Sequence, residues 1–212
     1  MPGMLDKICL FYVALGYLSG SVLYASIFLR LEQHRDIRTI QADHNPGVAS
    51  AFLAGGPACG IPALIGDLGK GFLPVFLALR CIPITDIHIA FVLLAPVVGH
   101  AWPIFYRFRG GKAIAVSFGV LLGLCPRHPA PVFILVFFYL LFSLVLRIRP
   151  HGGRSIVTFF CAWLVMARYL VEPTVSVGFG LIACVVIARH LLDYFRRRNT
   201  YDAADCPCTE NK

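Results

Sequence analysis

The sequence predicts an all-α integral membrane protein of about seven transmembrane helices, N-terminus outside and C-terminus cytoplasmic. Three observations lead there. Of 212 residues, 58% are hydrophobic and only 14% charged, with a mean hydropathy of +0.75. A soluble domain of this size could not cover so much apolar surface with so few charges. The apolar residues gather into runs at roughly 8–29, 59–80, 86–106, 113–126, 130–148, 155–171 and 174–191, and a crossing needs about 20 such residues. Finally, seven crossings with the N-terminus outside put fourteen Lys and Arg inside and four (Lys7, Arg80, Arg127, Arg168) outside, with Lys70 inside a span. That bias is the positive-inside pattern.

The first run follows a single lysine, has no clear small-residue cleavage site and continues to Leu29, so it reads as a retained span and not a signal peptide. A long inner loop, 30–58, follows it. The second run carries Asp67 and Lys70, and the third carries His100. The fourth is short enough for a re-entrant segment. Charge decides for a crossing, because otherwise "RIRPHGGR" and "RRR" would face opposite sides. After the seventh run a short polar tail, about 199–212, completes one domain spanning 1–212. The eight cysteines form no Cys-x-x-Cys pair and read as small packing hydrophobes. A net charge of +8 without a soluble basic domain points to lipid headgroups and not to nucleic acid.

Some polar groups exceed what topology requires. Asp67 and Lys70 are three residues apart inside an apolar segment, so they share a helix face and can pair. Their pairing suits a structural ion pair and a functional site equally. His100 precedes "RFRGGK", where Gly110 and Gly111 permit positive φ and close backbone approach to an anion. Lys112 then adds a point charge at a helix N-terminus. Arg38, His44, Asn45 and Gly47 in the first inner loop, "HGGRS" at 151–155 and His190 lie on the same side. Anion-binding chemistry thus recurs in every inner segment.

These residues resemble the bacterial acyl-phosphate glycerol-3-phosphate acyltransferases, the PlsY family, over nearly the whole chain. Gly20-Ser21 resembles the first-span Gly-Ser, and Asp36-Ile37-Arg38 the Asp-Ile-Arg that opens the first inner loop. Asn45 and Gly47 of "HNPGVAS" match the family's asparagine and glycine. "GDLGKG" matches Asp-x-x-Lys-Gly, and "GHAWPIFYRFRGGKAIAV" is the longest and most specific match. His190 resembles the last-span histidine, Arg196 the basic position after it, and Asp202 stands roughly where a glutamate is usual.

The resemblance implies transfer of a fatty acyl group from acyl phosphate to the 1-hydroxyl of glycerol 3-phosphate, giving lysophosphatidic acid in phospholipid synthesis. It implies no metal and no coenzyme A, and a site at the cytoplasmic face of the bacterial inner membrane, in contact with lipid. Carried over by position, the substrate and phosphate contacts are Ser21, Arg38, Asn45, Gly47, Asp67, Lys70, Gly110, Gly111, Lys112 and Ser155. The proton acceptor is His190, His100 or a substrate phosphate oxygen. The chain departs from the pattern at Ala42-Asp43-His44, at Ser50, at Asp193 in place of an asparagine, and at "RIRPHGG". Asp43 and Asp193 bring negative charge to an anion site, which bears on the acyl acceptor and on activity. The competing readings are a small transporter using Asp67, Lys70 and His100, and a non-catalytic paralogue.

Overall fold

The computed structural model describes residues 2–33, 47–169 and 172–204. Every regular element in them is helical: α1 (Pro2–Gly20), α2 (Tyr24–Gln33), α3 (Val48–Cys81), α4 (His88–Ala101), a 3₁₀ turn (Ile104–Tyr106), α5 (Ile114–Leu124), α6 (Ala130–Leu140) closed by a π-turn (Leu141–Val145), α7 (His151–Tyr169) and α8 (Pro173–Ala204). With α1 and α2 taken as one broken span, these make seven helical bodies. Among the described residues four stretches are long and apolar enough to cross a membrane: Gly3–Glu32, Val48–Cys81, His88–Tyr106 and Pro173–Arg196. The short helices α5 and α6 fall below that length, and α7 opens on His151-Gly152-Gly153-Arg154, which lowers its hydropathy.

The boundaries correct several expectations. The expected loop at 30–58 is helical from Val48, and Gly47 is the N-cap of α3. Gly56 (φ 62°, ψ −160°) kinks that helix just before Pro57, so the pattern looked interrupted although the helix resumes at once. The first run is broken at Ser21–Leu23, and the third begins at His88. "HGGRS" is the first turn of α7 and not a loop. α8 runs on through 199–204, within the expected tail.

Proline breaks are mended by neighbouring helices. Pro74 has no N–H to give the Lys70 carbonyl four residues earlier, and the Ser19 hydroxyl of α1 donates to that carbonyl instead, at 3.1 Å. Without a hydrophobic drive between helices in lipid, close packing has to hold them. Gly71 of α3 lies on the Val116 carbonyl, and Gly119 of α5 on the Leu68 carbonyl, so a Cβ at either would strike backbone. The interior is apolar, with Leu93, Leu121, Phe159, Met166, Phe179 and Ile182 buried; Phe159 and Phe179 stack at 5.8 Å. Leu53, Leu73, Phe91, Phe133 and Phe137 instead project outward, as expected for a surface solvated by acyl chains.

Candidate functional site

The site is assembled in two layers joined by a turn. The inner layer starts at the break between α1 and α2, which leaves the Val22 carbonyl without a helical donor. Lys70 Nζ fills it at 2.6 Å, lies 2.8 Å from Asp67 Oδ1 and 2.8 Å from His100 Nδ1. Asp67, Lys70 and His100 are all buried. The pairing of Asp67 with Lys70 expected from their spacing is therefore present, with His100 joined to it. Ser21 is also here: its hydroxyl donates to Tyr17 O at 2.8 Å, and Tyr17 OH donates to Trp102 O at 3.0 Å.

The connecting turn is Gly110-Gly111. The Gly111 N–H donates to His100 O at 3.1 Å. A Cβ on Gly110 would meet His100 O, and one on Gly111 would meet His100 Nε2. The expectation of positive φ at these glycines is not met. Among the described residues the left-handed conformations near them belong to Arg107 (φ 54°), Phe108 (58°) and Ala113 (61°). The two glycines are needed for close approach to His100, and the Gly111 amide faces protein and not an open anion hole. On the other side Arg189 donates to Gly110 O (2.6 Å) and Gly111 O (3.2 Å), with its guanidinium 5.7 Å from the Trp102 ring.

The outer layer is the rim this turn presents. Lys112, one residue on, lies 2.9 Å from Asp193 Oδ2 of α8. Arg189, His190 and Asp193 lie on adjacent turns of α8, so that helix closes the rim opposite the N-terminus of α5. His190 is buried, and its Nε2 has no hydrogen-bond partner among the described residues. Gly152, in the first turn of α7, faces it, since a Cβ there would lie 3.6 Å from His190 Nδ1. Ser155 is buried on the same helix and donates to His151 O at 3.2 Å. A basic cleft of about 810 Å³, lined by residues including Ser143, Arg147, Arg149, His151 and Arg154, opens beside this turn.

The expected residues thus fall into an inner group (Ser21, Asp67, Lys70, His100) and a rim group (Lys112, Ser155, His190), joined through Gly110 and Gly111. Gly47 caps α3. Arg38 and Asn45 lie outside the described residues, as do His44 and Asp43. Sequence reasoning missed Arg189, which it counted as a topogenic arginine. Its place directly before His190, at the inner end of an apolar run, is the signal that could have found it.

Comparison with known proteins identifies the family. The family model described as glycerol-3-phosphate acyltransferase matches residues 10–199. A glycerol-3-phosphate acyltransferase of Actinobacillus pleuropneumoniae serotype 5b (strain L20) is 34% identical over 184 residues, covering 84% of this chain and 86% of that one. That of Pasteurella multocida (strain Pm70) is 30% identical, covering 85% and 86%. The fold resembles the crystal structure of PlsY (YgiH), an integral membrane glycerol 3-phosphate acyltransferase, in its glycerol 3-phosphate form. The TM-score is 0.78, with 26% identity over 91% of this chain and 92% of that one. The lysophosphatidic acid form of the same enzyme gives 0.76. The chain is a multi-pass membrane protein that belongs to the glycerol-3-phosphate acyltransferase family, the family of PlsY.

Proposed function

We propose that this protein transfers a fatty acyl group from acyl phosphate to the 1-hydroxyl of glycerol 3-phosphate at the cytoplasmic face of the bacterial inner membrane. The products are lysophosphatidic acid and inorganic phosphate. The observation that carries the reading is Lys112: an ammonium beside the N-terminus of α5, on a turn locked by His100 below and Arg189 beside it. Both substrates are phosphates, and a fixed cation at a helix N-terminus is a place for one of their oxygens. The hydroxyl oxygen attacks the acyl carbon, the bond from that carbon to the phosphate oxygen breaks, and phosphate leaves. Because the leaving group is good, alignment and charge neutralisation supply much of the rate.

The geometry favours His190 over His100 as proton acceptor. His100 Nδ1 is held by Lys70 and its Nε2 packs on Gly111. His190 Nε2 is unoccupied by the described residues and close to the rim. Asp67, Lys70 and Ser21 act in this reading as support for the turn, and Ser155 as support for the start of α7. Arg38 and Asn45 remain proposed phosphate contacts through the resemblance alone. The seven helical bodies are proposed to be seven crossings, N-terminus outside, which a C-terminal reporter reading cytoplasmic would check.

The test is turnover by the protein purified in lipid nanodiscs, with palmitoyl phosphate and labelled glycerol 3-phosphate. Wild type is expected to form lysophosphatidic acid. Lys112→Ala is expected to lose activity on the order of 100-fold or more, with little change in melting temperature, because a partly exposed pair contributes about 1 kcal/mol or less. Folded wild type that makes no product would overturn the reading.

A further inference from the structure

The rim holds an anion of its own. Lys112 Nζ is 2.9 Å from Asp193 Oδ2, and the two side chains keep 20% and 21% of their surface exposed. A carboxylate at that distance takes the same donor, at the same separation, that a phosphate oxygen would take. The two anions also repel one another in a site this close to the low-dielectric interior. Arg189 is not a ready substitute for the lysine, because its guanidinium is engaged by the carbonyls of Gly110 and Gly111. Asp193 stands three residues beyond His190 on α8, so the helix that presents His190 also presents this carboxylate.

From this geometry we propose that Asp193 is a specificity-determining residue for the acyl acceptor. It is a resident counter-ion on Lys112 that an incoming phosphate must displace, and it weakens binding in proportion to the acceptor's negative charge. The inference rests on the proposed role of Lys112 in meeting a substrate phosphate. Nothing in it requires His190 to be the base. Exposure makes the exchange feasible: both partners are reached from the rim, whereas the Asp67–Lys70 pair is only 1–2% exposed and cannot be traded for a ligand.

Calorimetry on the nanodisc protein tests it with two probes, glycerol 3-phosphate and inorganic phosphate. Asp193→Asn keeps the shape and removes the charge, and is expected to tighten both by roughly fivefold, the scale of a partly exposed ion pair that no longer has to be broken. In turnover the same variant is expected to lower KM while kcat changes less than twofold, a split that a merely structural residue would not give. Combining it with Lys112→Gln is expected to erase the gain, because the carboxylate competes with phosphate at Lys112. Unchanged or weaker binding in a folded Asp193→Asn protein would overturn the proposal, as would a gain that survives Lys112→Gln. Asp193→Ser serves the same test if the asparagine variant fails to fold. Tighter binding in a protein that shows no turnover would uphold this inference and overturn the acyl-transfer reading, so the two failures are distinct.

Discussion

Among the described residues two carboxylate–ammonium pairs stand at nearly equal separation, 2.8 Å for Asp67–Lys70 and 2.9 Å for Asp193–Lys112. Their surroundings make them opposite in kind. The first is enclosed by α1, α2, α3 and α4, and its lysine also holds Val22 O and His100 Nδ1. The second lies on the rim and keeps a fifth of its surface exposed. Distance alone therefore says little about what an ion pair does in a membrane protein. Enclosure decides whether the charge supports structure or can be exchanged for a ligand.

The largest effect should come from breaking the enclosed pair. Lys70→Met leaves a buried carboxylate with no ammonium and the Val22 carbonyl with no donor. A loss of about 3–5 kcal/mol is expected, read as a collapse of folded yield or of the melting temperature in detergent. The double variant Asp67→Leu/Lys70→Met removes both charges and should recover a large part of that stability. A Lys70→Met protein as stable as wild type would show that the inner group is not the support claimed for it.

The turn between the two layers should give an intermediate effect. At Gly111 an added methyl would occupy the place of His100 Nε2, while Lys70 holds the other side of the ring. Gly111→Ala is expected to cost about 1–3 kcal/mol by overpacking and to lower kcat further than stability explains, because Lys112 moves with the turn. Gly69 provides the control: it is helical, and a methyl added there would have nothing within 4 Å. Gly69→Ala should be neutral or gain up to about 1 kcal/mol from helix propensity. Equal outcomes for the two substitutions would remove the steric account of the glycine pair.

What was legible follows the same division. The i, i+3 spacing of Asp67 and Lys70 is a local pattern and their pairing could be read from it. The Gly-Gly-Lys marked a turn before an apolar run, but its glycines serve the approach to His100 and not positive φ. The break at Ser21–Leu23 was missed although Ser19-Gly20-Ser21 marks the place, because Gly and Ser are also ordinary packing residues inside a span and only Lys70, from another helix, makes use of the freed Val22 carbonyl. Nor was the start of α3 at Val48, since Gly55-Gly56-Pro57 looks like a loop when helical packing cannot be seen. Arg189 was hidden for a related reason. In lipid-spanning chains an arginine near a helix end already has an explanation in topology, and its bonds to Gly110 and Gly111 come from residues almost 80 positions away.

The smallest effect belongs to a third carboxylate, outside both pairs, and it checks whether exposure alone separates weak from strong. Asp86 lies in the turn before α4, where its Oδ1 accepts the His88 backbone N–H at 2.9 Å and sits 2.6 Å from His88 Nδ1. The backbone hydrogen bond, with help from the imidazole, holds this carboxyl below the usual aspartate range. A depressed folded pKa means that its contribution is complete above the unfolded value, about 3.9. That contribution is then lost as pH falls through the lower folded value. Asp86→Asn keeps an acceptor for the N–H but removes the charge, so it should lower the melting temperature slightly at pH 6, by the equivalent of less than about 1 kcal/mol. The gap to wild type should narrow as pH is taken below about 4. A gap at pH 6 as large as that of Lys70→Met would mean that enclosure is not what distinguishes the charged pairs of this protein. A gap that widened on acidification would mean that the carboxyl is not depressed in the folded state.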